Sequence, residues 1–376
     1  MRITFFGLTI SSSWGNGHAT PYRAILRALR RRGHHCTFYE KDVPYYAMHG
    51  RRDFAGCDYC DLVLYDNWES VRRRALAEAR DSDVVVCASY CPEGARIIDE
   101  VLALGSVRPL KVFYDLDTPI TLGRFERGEQ VEYLRSDQLR CFDLVLSFTG
   151  GRILEELERT YKVQLARPLY GCVDPDVYVR VHPQPEFACD LSYMGTYAAD
   201  RQAKLERYFL DVARHAPERT FLLAGSMYPG AEAQRIPLNV KRREHVAPHE
   251  HPALYSSSRV TLNITRSEMA AWGYCPSGRF FEAAACGTPI VTDWWEGLES
   301  FFDLGRELAV ADGSDDVARV LQMDDDALLA MAQLARERTL DEHTGERRAI
   351  ELLAACEEAR DLLRDDAGDK QMEAAS

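Results

Sequence analysis

The 376-residue sequence has no apolar run approaching the roughly 18 residues needed to cross a membrane. It has no basic excess either: 46 Lys and Arg stand against 59 Asp and Glu, a formal net charge of −13. A nucleic-acid binder would normally show a basic domain. Residues 1–180 carry 25 of each sign, and the remainder carries 21 against 34. The 11 cysteines are odd in number and irregularly spaced in a long chain, which argues against a disulfide framework. No basic segment followed by an apolar core opens the chain, so the run from Met1 to Gly7 reads as a buried strand of a cytoplasmic protein. Hydrophobic residues at 46% and charged residues at 28% exclude a disordered, collagenous or mucin-like chain.

The length suggests two domains. In the first half, short apolar runs at 3–8, 36–40, 62–65, 84–88, 111–115 and 144–148 alternate with amphipathic stretches. Near-continuous hydrophobicity suits strands covered on both faces, and strand–helix alternation gives a parallel, doubly wound sheet. Thr20 is expected to cap the first helix, with Pro21 at its first position and Gly33 closing it. Gly, Pro, Asp and His gather at 171–187 as a linker. Alternation then restarts, with strands at 190–194, 220–224, 240–246, 260–264 and 289–292 and helices at 201–215, 252–257, 277–286, 325–339 and 344–363. This predicts an N-terminal Rossmann-like domain over 1–180, a C-terminal one over 181–343, a closing helix over 344–364 and a disordered tail over 365–376. Two such domains would face each other across a cleft, with ligands outside the C-terminal strand ends.

Four places carry chemistry-bearing residues. The loop after the first strand holds Gly15, Asn16 and Gly17 and ends in His18 before a helix, a setting for anionic or oxyanion groups. A dinucleotide fingerprint is the competing reading, and Glu40 stands where a ribose-binding acid would. The third glycine is missing, however, and the turn is long. His18 could serve as a general base or only bond the local backbone. Asp115-Leu116-Asp117 follows a strand and could hold a divalent metal, shape a turn, or place Asp117 against an acceptor hydroxyl. Cys57-x-x-Cys60 would need two more ligands for zinc, Cys87 and Cys91 being nearest; reduced thiols near a core are the plainer reading. The basic triplets at 30–32 and 72–74 read as solvated helix faces.

The fourth place is residues 273–297. Ser277 can cap a helix running to Cys286, Gly287 then ends it, and a strand begins after Pro289. Arg279 and Glu282, three apart, share a face: a cation near a helix N-terminus suits a diphosphate, and a carboxylate one turn on suits a ribose diol. A surface ion pair is the alternative. Trp272, Tyr274, Trp294 and Trp295 around the motif could stack on a base or sugar, or be core.

The segment RFFEAAACGTPIVTDWWEGLESFF resembles the C-terminal signature of group-1-type glycosyltransferases, and more closely the spore maturation protein CgeB-like branch. SYMGTYAADRQAKLE (192–206), TLNITR (261–266) and the stretch over 12–47 match as well. The resemblance spans about residues 1–350, with the more specific motifs in the C-terminal half. It implies the GT-B fold: two Rossmann-like domains, the donor held mainly on the C-terminal one and the acceptor on the N-terminal one. It implies that Gly195 and Thr196 face the donor phosphates, that Arg201 and Arg279 neutralise the diphosphate, that Glu282 holds the ribose, and that Asn263 and Arg266 line the donor pocket. It makes His18 the first candidate base and Asp117 the second. Members generally work without a bound metal. Many retaining members carry E-x7-E; here Tyr274 replaces the first Glu, which leaves the stereochemical outcome open.

The leading expectation is a cytoplasmic, metal-independent glycosyltransferase. It would need no cofactor beyond a nucleoside-diphosphate-sugar co-substrate, and its acceptor could be a small metabolite, a glycan, a protein or modified nucleic acid. The alternatives are an epimerase-like nucleotide-sugar enzyme and a non-catalytic binding or maturation protein.

Overall fold

The computed structural model describes all residues except 16, 49–51, 54–57, 106–108 and 375–376, with backbone alone at 231 and 366–374. The chain divides into two compact units, one of Met1–Ser12, Tyr22–Tyr170 and the chain from Gly345 on, the other of Ser13–Pro21 and Gly171–Thr344.

The first unit is built on seven parallel strands: β1 (Arg2–Gly7), β2 (His35–Lys41), β3 (Asp61–Tyr65), β4 (Val84–Ala88), β5 (Leu110–Asp115), β6 (Leu144–Ser147) and β7 (Ala166–Pro168). Its helices are α1 (Ala19–Arg31), which begins in the segment grouped with the second unit, α2 (Pro44–Ala47), α3 (Trp68–Asp81), α4 (Gly94–Leu102), α5 (Thr118–Glu126) and α6 (Arg152–Arg159). The spatial order is β3-β2-β1-β4-β5-β6-β7, so the order reverses between β1 and β4. Every residue of β4 and β5 is buried. Successive side chains point to opposite faces, so both faces of these strands are covered.

The second unit has six parallel strands in the order β10-β9-β8-β11-β12-β13: β8 (Cys189–Met194), β9 (Phe221–Ala224), β10 (Val240–Arg243), β11 (Ser258–Asn263), β12 (Ile290–Asp293) and β13 (Ala309–Ala311). Its helices are α7 (Ala199–Leu205), α8 (Asp211–His215), α9 (Gly230–Gln234), α10 (His251–Ser257), α11 (Ser267–Trp272), α12 (Gly278–Ala285), α13 (Ser314–Gln322) and α14 (Asp325–Glu342). Here the order reverses between β8 and β11, which pair with Leu262 opposite Tyr193. Leu191, Tyr193, Phe209, Phe221, Leu223, Val260, Leu262 and Val291 form the core of this unit. Fully burying side chains of this size stabilises by about 1.5–3 kcal/mol each.

Several boundaries differ from the sequence expectation. Thr20 is not a cap, because α1 already begins at Ala19 and Pro21 lies in its first turn. The helix expected over 201–215 is α7 and α8 joined by a π-helical turn at Glu206–Leu210. Strands β7 and β13 have three residues each, too few to carry a period. The last helix, α15 (Gly345–Ala374), belongs to the first unit and continues past Arg364, where the sequence predicts a disordered tail. Among the described residues no helix is long and apolar enough to cross a membrane.

Candidate active site

In open parallel sheets, ligands bind beyond the carboxyl ends of the strands where strand order reverses. In the second unit that point lies between Met194–Gly195, after β8, and Ile264–Arg266, after β11. Arg279 is built across it. Ser277 caps α12, accepting from the Arg279 N–H at 3.4 Å and from its Nε at 3.0 Å. The Arg279 guanidinium then donates from Nη1 to the Met194 carbonyl and from Nη2 to the Ile264 carbonyl at 3.2 Å. One side chain thus bridges the ends of both strands.

Arg201, in the first turn of α7, donates to the Thr196 carbonyl. The guanidinium carbons of Arg201 and Arg279 lie 5.9 and 5.6 Å from the centroid of the Tyr193 ring, within cation–π range. Burial, followed by the charges of Arg279 and Arg266, lowers the Arg201 pKa, while the neighbouring Tyr193 and Tyr228 rings oppose the shift. Arg266 pairs with Asp200 at 3.2 Å. Among the described residues neither Arg201 nor Arg279 has a carboxylate partner. The result is a concentration of positive charge whose own partners are carbonyls and one hydroxyl. Such a concentration of charge beside the N-terminus of α12 is suited to an anion.

Gly195 leaves no room for a side chain: a Cβ there would meet Tyr193 Oη at 2.7 Å and Arg279 Nη1 at 3.1 Å. Thr196 follows in the same loop, its carbonyl held by Arg201. Asn263 ends β11; its side chain is buried, and neither polar atom has a hydrogen-bond partner among the described residues.

Glu282 is not in a surface ion pair with Arg279. It is buried and lies on α12 against α10. Tyr255 donates to its Oε2 at 3.3 Å, and His251 Nδ1 stands 3.8 Å from the same oxygen. Tyr274 has a left-handed backbone, φ +47°, and its N–H donates to the Glu296 carbonyl at 2.7 Å. Its ring occupies the space a Cβ at Gly297 would need, 2.5 Å from it. Of the tryptophans, Trp295 is core, edge-on to Phe280, while Trp294 is 60% exposed.

The sequence reading missed Lys204 and Asp293, paired at 2.5 Å beside the Thr265 carbonyl and N–H. The signal was present: Arg201 and Lys204 share a helix face, and Asp293 ends a strand. It also missed His251 and Tyr255, whose i, i+4 spacing on α10 places them side by side.

In the first unit, Asp117 accepts from Tyr90 Oη at 2.9 Å, and its N–H donates to Asp115 Oδ1 at 3.0 Å. Asp115 is fully buried, and that burial raises its pKa to about 6, against hydrogen bonds that lower it. Glu40 does not stand open to a ribose. Its carboxylate is buried and accepts from Thr9 Oγ1, the Ile10 and Ser11 N–H groups and Ser11 Oγ at 2.5–3.1 Å. It braces the loop after β1, so the acid needed by the dinucleotide reading is already engaged. Gly15, Gly17 and the half-buried His18 lie in the segment grouped with the second unit, and Asn16 lies outside the described residues. Cys60 is buried; Cys57 lies outside the described residues.

Residues 201–354 match the glycosyl transferase-like family. A comparison with curated protein sequences finds no match. Among solved structures, the sucrose-phosphate synthase of Thermosynechococcus elongatus is similar at 14% identity, covering 100% of both chains, with a TM-score of 0.62. Anabaena HepE, solved with UDP-glucose, matches at 13% identity over 94% of this chain and 100% of that one, TM-score 0.64. An alpha-glucosyltransferase solved with UDP-glucose and DNA containing an abasic site matches at 12% identity over 95% and 99%, TM-score 0.68. At such identities the likeness is one of fold. The fold is GT-B, residues 201–354 carry the glycosyl transferase-like sequence, and the two findings agree on one class of enzyme, the glycosyltransferases.

Proposed function

We propose that the protein transfers a sugar from a UDP-sugar to a hydroxyl-bearing acceptor, with arginines in place of a metal at the diphosphate. The observation that carries this reading is Arg279, which spans the two strand ends at the switch point beside Arg201, neither paired with a carboxylate among the described residues. A diphosphate supplies the missing negative charge, and its hold tightens as the leaving group gains charge in the transition state. Glu282 accepts from the ribose hydroxyls. Asn263 and Arg266 line the pocket, and Gly195 and Thr196 let the phosphates approach the backbone. The UDP-bound and UDP-glucose-bound neighbours support uracil as the base.

In the transfer, the acceptor oxygen forms a bond to the anomeric carbon. The bond from that carbon to the diphosphate oxygen breaks, and the electron pair leaves with UDP. His18 takes the acceptor proton, with Asp117 as the second candidate. The acceptor is read as a neutral hydroxyl compound, since residues 1–180 carry no net basic charge. The CgeB-like branch is our reading of the quoted segments. A cytoplasmic setting goes with the odd number and irregular spacing of the 11 cysteines.

Calorimetry with UDP, dTDP, GDP, ADP and NAD tests the donor site. UDP is expected to bind wild type, and Arg279→Ala to weaken it about 10- to 100-fold, the worth of charge-assisted hydrogen bonds. UDP affinity unchanged by Arg279→Ala would remove the donor site from this position, and binding of NAD alone would restore the dinucleotide reading. Transfer from UDP-glucose is expected to persist in EDTA; its loss, restored by a divalent cation, would overturn metal independence.

A further inference from the structure

Glu282 does not stand alone in the second unit. On α10, His251 and Tyr255 lie one turn apart and face α12. Tyr255 Oη donates to Glu282 Oε2 at 3.3 Å. The Thr288 hydroxyl donates to the Tyr255 carbonyl at 2.7 Å and fixes the backbone that carries the ring. His251 Nε2 lies 3.1 Å from the Val246 carbonyl. A carbonyl only accepts, so Nε2 carries the proton and, in the neutral ring, Nδ1 is an acceptor. The hydroxyl of the buried Tyr178 sits 3.1 Å from that Nδ1 and donates to it. His251 Nδ1 is in turn 3.8 Å from Glu282 Oε2.

The one hydrogen bond to the Glu282 carboxylate among the described residues falls on a single oxygen, Oε2, and comes from Tyr255. We propose that Tyr255 is a positioning residue: its hydroxyl holds Oε2 so that Oε1 is turned toward the ribose and accepts from its hydroxyls. This rests on the reading of Glu282 as the ribose ligand. A buried carboxylate with a free torsion would spend its binding energy on being ordered, whereas one fixed by a neighbour meets the diol already aligned. Burial, with the Glu282 charge next, raises the pKa of both Tyr178 and Tyr255. Both phenols therefore remain protonated donors across the working pH range.

The discriminating probe is a nucleotide that keeps the base and diphosphate but lacks the diol. Calorimetry compares UDP with 2′,3′-dideoxy-UDP on wild type, Tyr255→Phe, Glu282→Ala and the Glu282→Ala/Tyr255→Phe double variant. Wild type is expected to prefer UDP by about tenfold or more, the usual penalty when a site built for a hydroxyl meets an analogue without one. Tyr255→Phe should reduce that preference to about threefold or less while leaving dideoxy-UDP affinity unchanged. In the double variant, Tyr255→Phe should add nothing to Glu282→Ala.

Tyr255→Phe with the wild-type preference overturns the positioning role with the ribose reading intact. So does an equal loss of affinity for both nucleotides, which is the mark of a merely structural role. A wild type with no preference between the two overturns the ribose reading and the positioning role with it.

Discussion

The Arg279 guanidinium lies over the ring of Tyr193, and the Tyr193 hydroxyl stands 2.7 Å from where Gly195 would carry a Cβ. Cation, ring and the loop after β8 are thus one packed unit. Gly195→Ala needs no unusual backbone angle, but its methyl group must displace a buried tyrosine or Arg279 Nη1. Overpacking of this kind costs about 1–3 kcal/mol. UDP affinity, measured by calorimetry, is expected to fall about tenfold or more as Arg279 is pushed aside, the scale of losing a charged hydrogen bond. Unchanged UDP affinity would separate the loop from the donor site.

Glu40→Ala would remove the carboxylate that accepts from two backbone N–H groups and two hydroxyls of the loop after β1. Each buried donor left unmade costs about 1–3 kcal/mol, partly recovered by relaxation. Urea unfolding is expected to show a loss of about 3–5 kcal/mol, one of the larger single-residue effects. A change below about 1 kcal/mol would show that the brace is dispensable.

Asp115 gives the first unit a pH dependence of known sign. Its folded pKa is raised to about 6, from the ordinary carboxylate value of 3.8, chiefly by burial. The native state therefore holds the proton more tightly than the unfolded state. The associated stability is present below pH 3.8 and is lost as pH rises toward 6. The shift corresponds to about 3 kcal/mol, each pH unit being worth roughly 1.4 kcal/mol. Asp115→Asn keeps an acceptor for the Asp117 N–H and removes the charge, so urea unfolding between about pH 4 and 6 should lose this downward slope. A variant whose slope matches wild type would assign it to other groups.

His18→Ala tests the base. Removing a general base costs about 10²- to 10⁴-fold in turnover. The UDP dissociation constant should stay within about twofold, because the proton is taken from the acceptor and not from the donor. If Asp117→Asn shows the large loss in kcat and His18→Ala does not, the two roles exchange.

Much of the second unit is legible in the sequence. Ser277, Gly287 and Pro289 mark the ends of α12 by local backbone chemistry, and the Arg279–Glu282 spacing follows from the helical period. The illegible parts have specific reasons. Glu40 reads as a ligand group because nothing in the sequence says that the loop 30 residues upstream folds back onto it. His251 and Tyr255 carry no motif. They become meaningful only when α10 meets α12, 27 residues from Tyr255 to Glu282. The helix α1 starts ahead of the Thr20–Pro21 signal, at Ala19, which is fully buried; packing at that position outweighs the cap preference of the threonine.

Periodicity and capping act within a turn or two of the chain, and they suffice to dictate the alternation of strand and helix. From that alternation follow two parallel sheets whose loops gather at the carboxyl ends of the strands. The meeting of Arg201 and Arg279 over one ring is of another kind, as is the bridge that Arg279 makes between the ends of β8 and β11. The two arginines are 78 residues apart, and their encounter depends on sheet order and register. No local preference encodes it, because the free energy that fixes sheet order and register comes from burying the whole core at once.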